Sequence, residues 1–128
     1  MTMKLLGIDY GTKRVGLAVS DEDGRMAFPK NVVPNTADLP TVLRSIADEV
    51  GAAHIIIGES KNLKGEDNPL MGGITRLKDS LQQLGLVVSL EPEYMTTQQA
   101  ERLQDKSDQL DASAAAIILQ SYLDRQRA

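Results

Sequence analysis

The stretch that decides the fold reads Leu5-Leu6-Gly7-Ile8-Asp9-Tyr10-Gly11-Thr12-Lys13-Arg14-Val15-Gly16-Leu17-Ala18-Val19-Ser20. Two apolar runs suited to β-strands, Lys4 to Tyr10 and Val15 to Asp21, flank the short connection from Gly11 to Arg14. Two strand-like runs joined by so short a glycine-containing connection predict an antiparallel hairpin.

Asp9 is a charged residue at the end of the first apolar run. Because a lone buried carboxylate is strongly disfavoured, its position predicts a nearby cation. Thr12, Lys13 and Arg14 would stand beside it as donors. Asp9 could instead cap the turn with its side-chain oxygens, as aspartates at strand ends often do.

Length and composition predict one globular domain over residues 1–128, since the chain is 41% hydrophobic and 25% charged. The absence of cysteine excludes a disulfide framework, a thiol nucleophile and a thiolate zinc site. No signal-peptide pattern and no apolar run near ~20 residues is present, so we expect a soluble cytoplasmic protein with no membrane partner.

The charge balance bears on nucleic-acid binding. A net charge of −4 and a pI near 4.9 weigh against a broad basic face for phosphate contacts. They leave open a nuclease whose carboxylates hold a divalent metal.

The remaining elements are predicted from hydrophobic spacing and from Asp, Gly and Pro at the boundaries. They are a strand over Arg25 to Val33, a helix from an Asp38 N-cap to Gly51, a strand over His54 to Gly58, a helix from Asn68-Pro69 to Gly85, a strand over Leu86 to Leu90, a short helix starting at Thr96-Thr97-Gln98-Gln99, and a helix over Asp111 to Arg125. This order predicts an α/β fold: a mixed five-stranded sheet with helices on both faces.

If the first strand lies beside the fourth, then the first, fourth and fifth strands end on one edge of the sheet, which is the natural site. The acids near that edge are Asp9, Glu59, Glu91, Glu93 and Asp111. Such a cluster would repel itself unless it were neutralised, and Mg²⁺ or Mn²⁺ takes oxygen ligands of this kind. Each acid could alternatively cap a turn or a helix.

The chain resembles the YqgF (RuvX) family of Holliday-junction-resolvase-like proteins, which are also provisionally described as pre-16S rRNA nucleases. The resemblance covers nearly the whole length. It is carried by Gly7 to Asp21, Ile55-Ile56-Ile57-Gly58, Gly65, Thr96-Thr97 with Ala100-Glu101, Asp111-Ala112-Ser113-Ala114-Ala115 and Ile117 to Leu123. It implies an RNase H-like fold with Asp9, Glu93 and Asp111 at the acidic catalytic positions.

The chain departs from the family pattern at two places. Pro92-Glu93-Tyr94 stands where the family has Asp-Glu-Arg, so one acid and one arginine are missing. Gly58-Glu59-Ser60 stands where the family has Gly-Leu-Pro, which suggests Glu59 as a relocated metal ligand. Phosphate contact would then have moved to Lys61, Lys64 or Arg76.

We therefore expect a metal-dependent nuclease that cleaves precursor ribosomal RNA or branched DNA. Asp9, Glu59, Glu93 and Asp111 would hold Mg²⁺ or Mn²⁺, while Thr12, Lys13, Arg14, Lys61 and Lys64 would bind the substrate. A resolvase that cuts two symmetric strands would need a two-fold homodimer.

Two alternatives remain open. One is a non-catalytic nucleic-acid-binding or scaffolding module of the same fold, favoured by the acidic pI and the altered Asp-Glu-Arg motif. The other is suggested by the first hairpin, which also resembles the phosphate-binding hairpin of sugar-kinase and actin type ATPases. Those ATPases need a second such domain, for which 128 residues leave no room.

Overall fold

A five-stranded mixed sheet forms the centre of the molecule in a computed structural model, which describes residues 4–61, 70–94 and 108–127. The strands are β1 (Leu5–Tyr10), β2 (Arg14–Ser20), β3 (Ala27–Pro34), β4 (His54–Lys61) and β5 (Val87–Tyr94). The helices are α1 (Leu39–Val50), α2 (Met71–Gln83) and α3 (Asp108–Arg127).

The strand order is β3-β2-β1-β4-β5. β1 pairs antiparallel with β2, which confirms the predicted hairpin, and β2 pairs antiparallel with β3. β1 pairs parallel with β4, and β4 parallel with β5. The first strand therefore lies centrally beside the fourth, which is the condition under which the carboxyl ends of β1, β4 and β5 meet at one edge, called here the carboxyl edge.

Helices cover both faces of the sheet. The larger core lies under α1 and α2 and includes Leu6, Ile8, Leu17, Leu43, Ile55, Ile57, Ile74 and Leu81. The second core lies under α3 and includes Leu5, Ala18, Ile56, Ala115, Ile118, Leu119 and Leu123. The central run Ile55 to Ile57 is fully buried because its side chains alternate between the two cores.

α1 shows how local sequence sets a boundary. Its apolar stripe packs on the sheet, and Gly51 ends the helix in the left-handed conformation at φ 78°, where its N–H donates to carbonyls of the last turn. Asp38 occupies the predicted N-cap position, but its side chain makes no capping hydrogen bond. It accepts instead from the Thr36 hydroxyl.

Several boundaries differ from the sequence-based expectation. β4 and β5 continue to Lys61 and Tyr94, because the parallel pairing that starts at His54 and Val87 continues past their apolar parts. α3 begins at Asp108, three residues before Asp111. α2 begins at Met71 with Leu70 as its N-cap.

Asn68-Pro69, expected to open that helix, and the short helix expected from Thr96 lie outside the described residues. No described helix is both long and apolar enough to cross a membrane.

Candidate active site

Asp9 lies at the carboxyl edge of the central strand and is half-buried. Its neighbour Ile8 belongs to the core under α1 and α2, whereas Gly7 contacts α3. Because side chains alternate along a strand, Asp9 belongs to the α3 face of the sheet. The expectation that Asp9 lies near a cation stays a prediction.

The other two predicted catalytic acids belong to elements on the same side. On β5, Glu91 contacts α3, so position 93, two residues further along the strand, shares that face. Asp111 lies near the start of α3, four residues before Ala115, whose carbonyl lies close to Gly7. The fold thus brings the backbone positions of Asp9, Glu93 and Asp111 to one face.

Glu59 belongs to the opposite face. It lies two residues after Ile57, which packs in the core under α1 and α2, and it is paired in register with Pro92. Strand alternation therefore separates Glu59 from Asp9 by the thickness of the sheet. Its role as a metal ligand stays a prediction, and it requires the side chain to reach around the sheet edge.

The β1–β2 turn places its predicted phosphate donors next to Asp9. Thr12 and Lys13 are exposed and Arg14 is half-buried. Lys61 ends β4 at the same edge, and Lys64 lies outside the described residues. The turn therefore presents an exposed hydroxyl group and an exposed cationic group a few residues after Asp9 in the chain.

Asn35 holds this turn in place, although nothing in the sequence singled it out. Its side-chain Nδ2 donates to the Gly11 carbonyl at 2.7 Å, and its backbone N–H donates to the Lys13 carbonyl at 2.9 Å. Gly11 itself must be small, since an added Cβ would lie 2.5 Å from the Arg14 carbonyl oxygen. The turn is thus tied to the end of β3.

Glu91, one of the acids predicted near the carboxyl edge, forms a hydrogen bond and an ion pair with residues of α3. Its side chain is almost fully buried, and one carboxylate oxygen accepts from the Ser121 hydroxyl at 2.9 Å. The other oxygen is paired with the guanidinium of Arg125. Ser121 and Arg125 are 30 and 34 residues from Glu91 in the sequence, so no local sequence pattern predicts these contacts.

Gln120 attaches the same helix to the opposite edge of the sheet, at the start of β3. Its side-chain oxygen accepts from the Ala27 N–H at 2.9 Å, and its amide donates to the Arg25 carbonyl at 2.9 Å. The amide group therefore pairs with the backbone at the start of β3 as a neighbouring strand would. α3 is fastened to both edge strands, to β3 by Gln120 and to β5 by Glu91.

His54 is at the opposite, amino-terminal end of β4. Its Nε2 lies 2.8 Å from the Ser89 hydroxyl, and its ring meets Tyr122 edge-on at a centroid distance of 5.5 Å. Partial burial lowers the pKa of His54 because the charged imidazolium is poorly solvated there. His54 therefore makes structural contacts at the end of the sheet away from the carboxyl edge.

The acidic residues and the adjoining turn determine what chemistry the carboxyl edge can support. Carboxylate oxygens on β1, β5 and α3 are the ligand type that Mg²⁺ and Mn²⁺ prefer. The adjoining turn offers donors suited to phosphate. Among the residues that the structure describes, no group of three acidic or histidine side chains is close enough to hold one ion.

The chain matches one protein family and several named proteins. A family model described as "RuvX: Holliday junction resolvase" matches residues 3–125. A Geobacillus kaustophilus protein provisionally named pre-16S rRNA nuclease is 36% identical, with 98% of this chain and 100% of that protein covered. A Novosphingobium aromaticivorans protein of the same name is 35% identical, with 94% and 84% covered.

Solved structures show the same fold at low sequence identity. Thermus thermophilus RuvC in complex with a Holliday junction substrate superposes with a TM-score of 0.57 at 13% identity, covering 98% of this chain and 96% of that one. The fowlpox virus Holliday junction resolvase gives 0.56 at 14% identity, covering 97% and 99%. The fold is therefore RNase H-like, as the resemblance implied.

Proposed function

Because this chain belongs to the RuvX family of Holliday junction resolvases, we propose that it is a hydrolytic endonuclease that acts on structured nucleic acid. The observation that carries the proposal is Asp9 at the carboxyl edge of the central strand, beside an exposed turn with Thr12 and Lys13. Metal-dependent phosphodiester hydrolysis uses carboxylates that hold the metal together with donors that bind the phosphate.

We assign the divalent metal to Asp9, Glu93 and Asp111. The donor set supports this assignment, since all three positions belong to elements on the α3 face and all three groups are hard oxygen ligands. When bound, Mg²⁺ or Mn²⁺ supplies an activated water and stabilises the leaving oxygen. Glu59 is a fourth predicted ligand, but strand alternation favours the other three.

The residues of the β1–β2 turn hold the substrate. Lys13 and Arg14 contact backbone phosphates, and Thr12 adds a hydroxyl donor. Asn35 fixes the turn that carries these donors, through its hydrogen bonds to the Gly11 and Lys13 carbonyls. Lys61 and Lys64 extend the phosphate contacts from the end of β4.

We propose precursor ribosomal RNA as the substrate, because relatives at 35% and 36% identity carry that substrate in their names. Branched DNA is the competing substrate, from the description of the family model. Symmetric cleavage of a four-way junction would in addition need a homodimer.

A cleavage panel tests the proposal. Wild type and Asp9→Asn are incubated with precursor 16S ribosomal RNA and with a four-way DNA junction, each in Mg²⁺, in Mn²⁺ and in EDTA. We expect metal-dependent cleavage of the RNA by wild type alone. Preferential junction cleavage would reverse the substrate assignment, and no cleavage with intact substrate binding would support a non-catalytic binding module.

That second function rests on a specific observation. Pro92 and Tyr94 flank Glu93 where the family has an acid and an arginine, so this chain lacks one carboxylate and one bidentate phosphate donor. A module that binds nucleic acid without cutting it would not need the missing carboxylate.

A further inference from the structure

The contact between Glu91 and α3 is unusual for a carboxylate. The Glu91 side chain is 3% exposed, whereas that of its partner Arg125 is 55% exposed. A buried carboxylate is strongly disfavoured unless it is paired and hydrogen-bonded, and here both oxygens have partners on α3, at Ser121 and Arg125. An apolar side chain would fill this position on β5 without that requirement.

The location of this contact connects two parts of the proposed site. Glu91 is two residues before Glu93 on the same face of β5. Ser121 is ten residues after Asp111 on α3, about 15 Å along the helix axis. The contact therefore joins the strand that carries one proposed metal ligand to the helix that carries another.

We propose that Glu91 is a positioning residue that fixes α3 against β5 and thereby sets the separation between Glu93 and Asp111. The two bonds to Ser121 and Arg125, one turn apart on the helix, fix both its rotation and its height over β5. This inference rests on the proposed function, since it concerns the assigned metal ligands.

Pairing by charge rather than by apolar contact gives the helix one defined position. Apolar packing tolerates small slides of a helix over a sheet, whereas a two-oxygen contact with a hydroxyl and a guanidinium is lost when its partners shift by about 1 Å. The buried residues of α3 nearest Asp111, which are Ala112 and Ala115, are small, whereas the larger apolar residues Ile118, Leu119 and Leu123 lie further along the helix.

Variants of the full-length chain test the proposal. Glu91→Gln keeps the size of the side chain and removes its charge. Gln120→Ala loosens the same helix from β3, and Asp48→Asn removes an equal charge from an exposed ion pair with Arg44 on α1. For each protein, Mn²⁺ affinity is measured by calorimetry without substrate, amide exchange is measured along α3, and Tm is recorded.

We expect Glu91→Gln to weaken Mn²⁺ affinity about tenfold, the size seen when groups that orient metal ligands are removed. Exchange in the first turns of α3 should rise. Gln120→Ala should lower Tm while keeping the Mn²⁺ affinity within about twofold, and Asp48→Asn should match wild type. Arg125→Gln should resemble Glu91→Gln, and the double variant should be no worse than either single one.

The outcomes separate the two proposals. If wild type binds Mn²⁺ and Glu91→Gln binds it equally well, the positioning role is overturned and the metal site stands. If Gln120→Ala weakens binding as much as Glu91→Gln does, general loosening of α3 explains the effect and the specific role is again overturned. If wild type binds no Mn²⁺, the proposed metal site fails and the positioning role fails with it.

Discussion

Gly7 of β1 and Leu119 of α3 are in such close contact that a Cβ added to the glycine would lie 2.7 Å from the Cβ of the leucine. The Ala115 carbonyl oxygen would lie only 3.1 Å from the same atom. The helix that carries Asp111 therefore approaches the strand that carries Asp9 as closely as a backbone without a side chain allows. Gly7, which lies two residues before the proposed catalytic Asp9, therefore sets the distance between the helix and the sheet.

Gly7→Ala tests this close approach. Because the added methyl group must push α3 outward, we expect a loss of about 1–3 kcal/mol in the free energy of unfolding. Mn²⁺ affinity should fall as well, since Asp111 moves with the helix. Chemical denaturation and calorimetry measure the two effects. Gly72→Ala is the control, because an added Cβ there would have, among the residues that the structure describes, only the Arg76 guanidinium nearby, at 3.5 Å.

Asp9→Asn tests the metal site. The substitution should abolish cleavage and weaken Mn²⁺ binding while the fold is retained. Relief of repulsion among the carboxylates should raise the stability of the metal-free protein. Circular dichroism, thermal unfolding without metal and calorimetry check the three outcomes, and normal cleavage by the variant would return Asp9 to a turn-capping role.

Lys13→Ala tests the phosphate contacts of the turn. Nucleic-acid affinity should weaken at low salt, and the slope of log affinity against log salt should flatten by about one for the lost contact. The measurement is binding anisotropy in Ca²⁺, which permits binding without cleavage, over a salt series. Lys30→Ala, an exposed lysine on β3, is the matched control. An unchanged slope for Lys13→Ala would place the phosphate track elsewhere.

Asn35→Ala tests the tie between the turn and β3. Losing the hydrogen bond to Gly11 should cost about 1 kcal/mol of stability and loosen the turn. Substrate KM should rise more than kcat falls, because the turn binds phosphate and holds no proposed metal ligand. A fall in kcat with unchanged KM would contradict this division.

The pH dependence of stability follows from His54. Its pKa is lowered by partial burial, so as pH falls through about 6.5 the unfolded state takes up a proton before the folded state does. Stability should therefore decline between pH 7.5 and 5.5. His54→Gln, which keeps an amide opposite the Ser89 hydroxyl, should show a smaller decline. Equal slopes for both proteins would show that His54 does not contribute.

Glu59→Gln separates the predicted ligand from the three that share the α3 face. Because the alternation of β4 directs position 59 to the face under α1 and α2, we expect Mn²⁺ affinity close to that of wild type. A loss comparable to that of Asp9→Asn would establish Glu59 as a ligand whose side chain turns around the sheet edge.

The sequence by itself determined the order of the described elements, whereas the central place of β1 became known only from the pairing of the strands. Hydrophobic patterns indicate burial directly. The uninterrupted apolar run Ile55 to Ile57 indicates a strand that is buried on both faces. The apolar stripe of α1 ends at Gly51, where the backbone takes the left-handed conformation. It also identified Asp9 and the turn beside it. A charged residue at the end of an apolar strand is disfavoured unless it belongs to a functional site or caps a turn.

Only the tertiary structure decided which side chains face one another. The strand ends of β4 and β5 extend because of pairing between strands, so the face to which Glu59 belongs could be assigned only once that register was known. The contacts of Glu91 with Ser121 and Arg125, and of Asn35 with Gly11, join residues far apart in the chain. Such contacts depend on how a helix lies across a sheet, and no local pattern of residue types encodes that geometry.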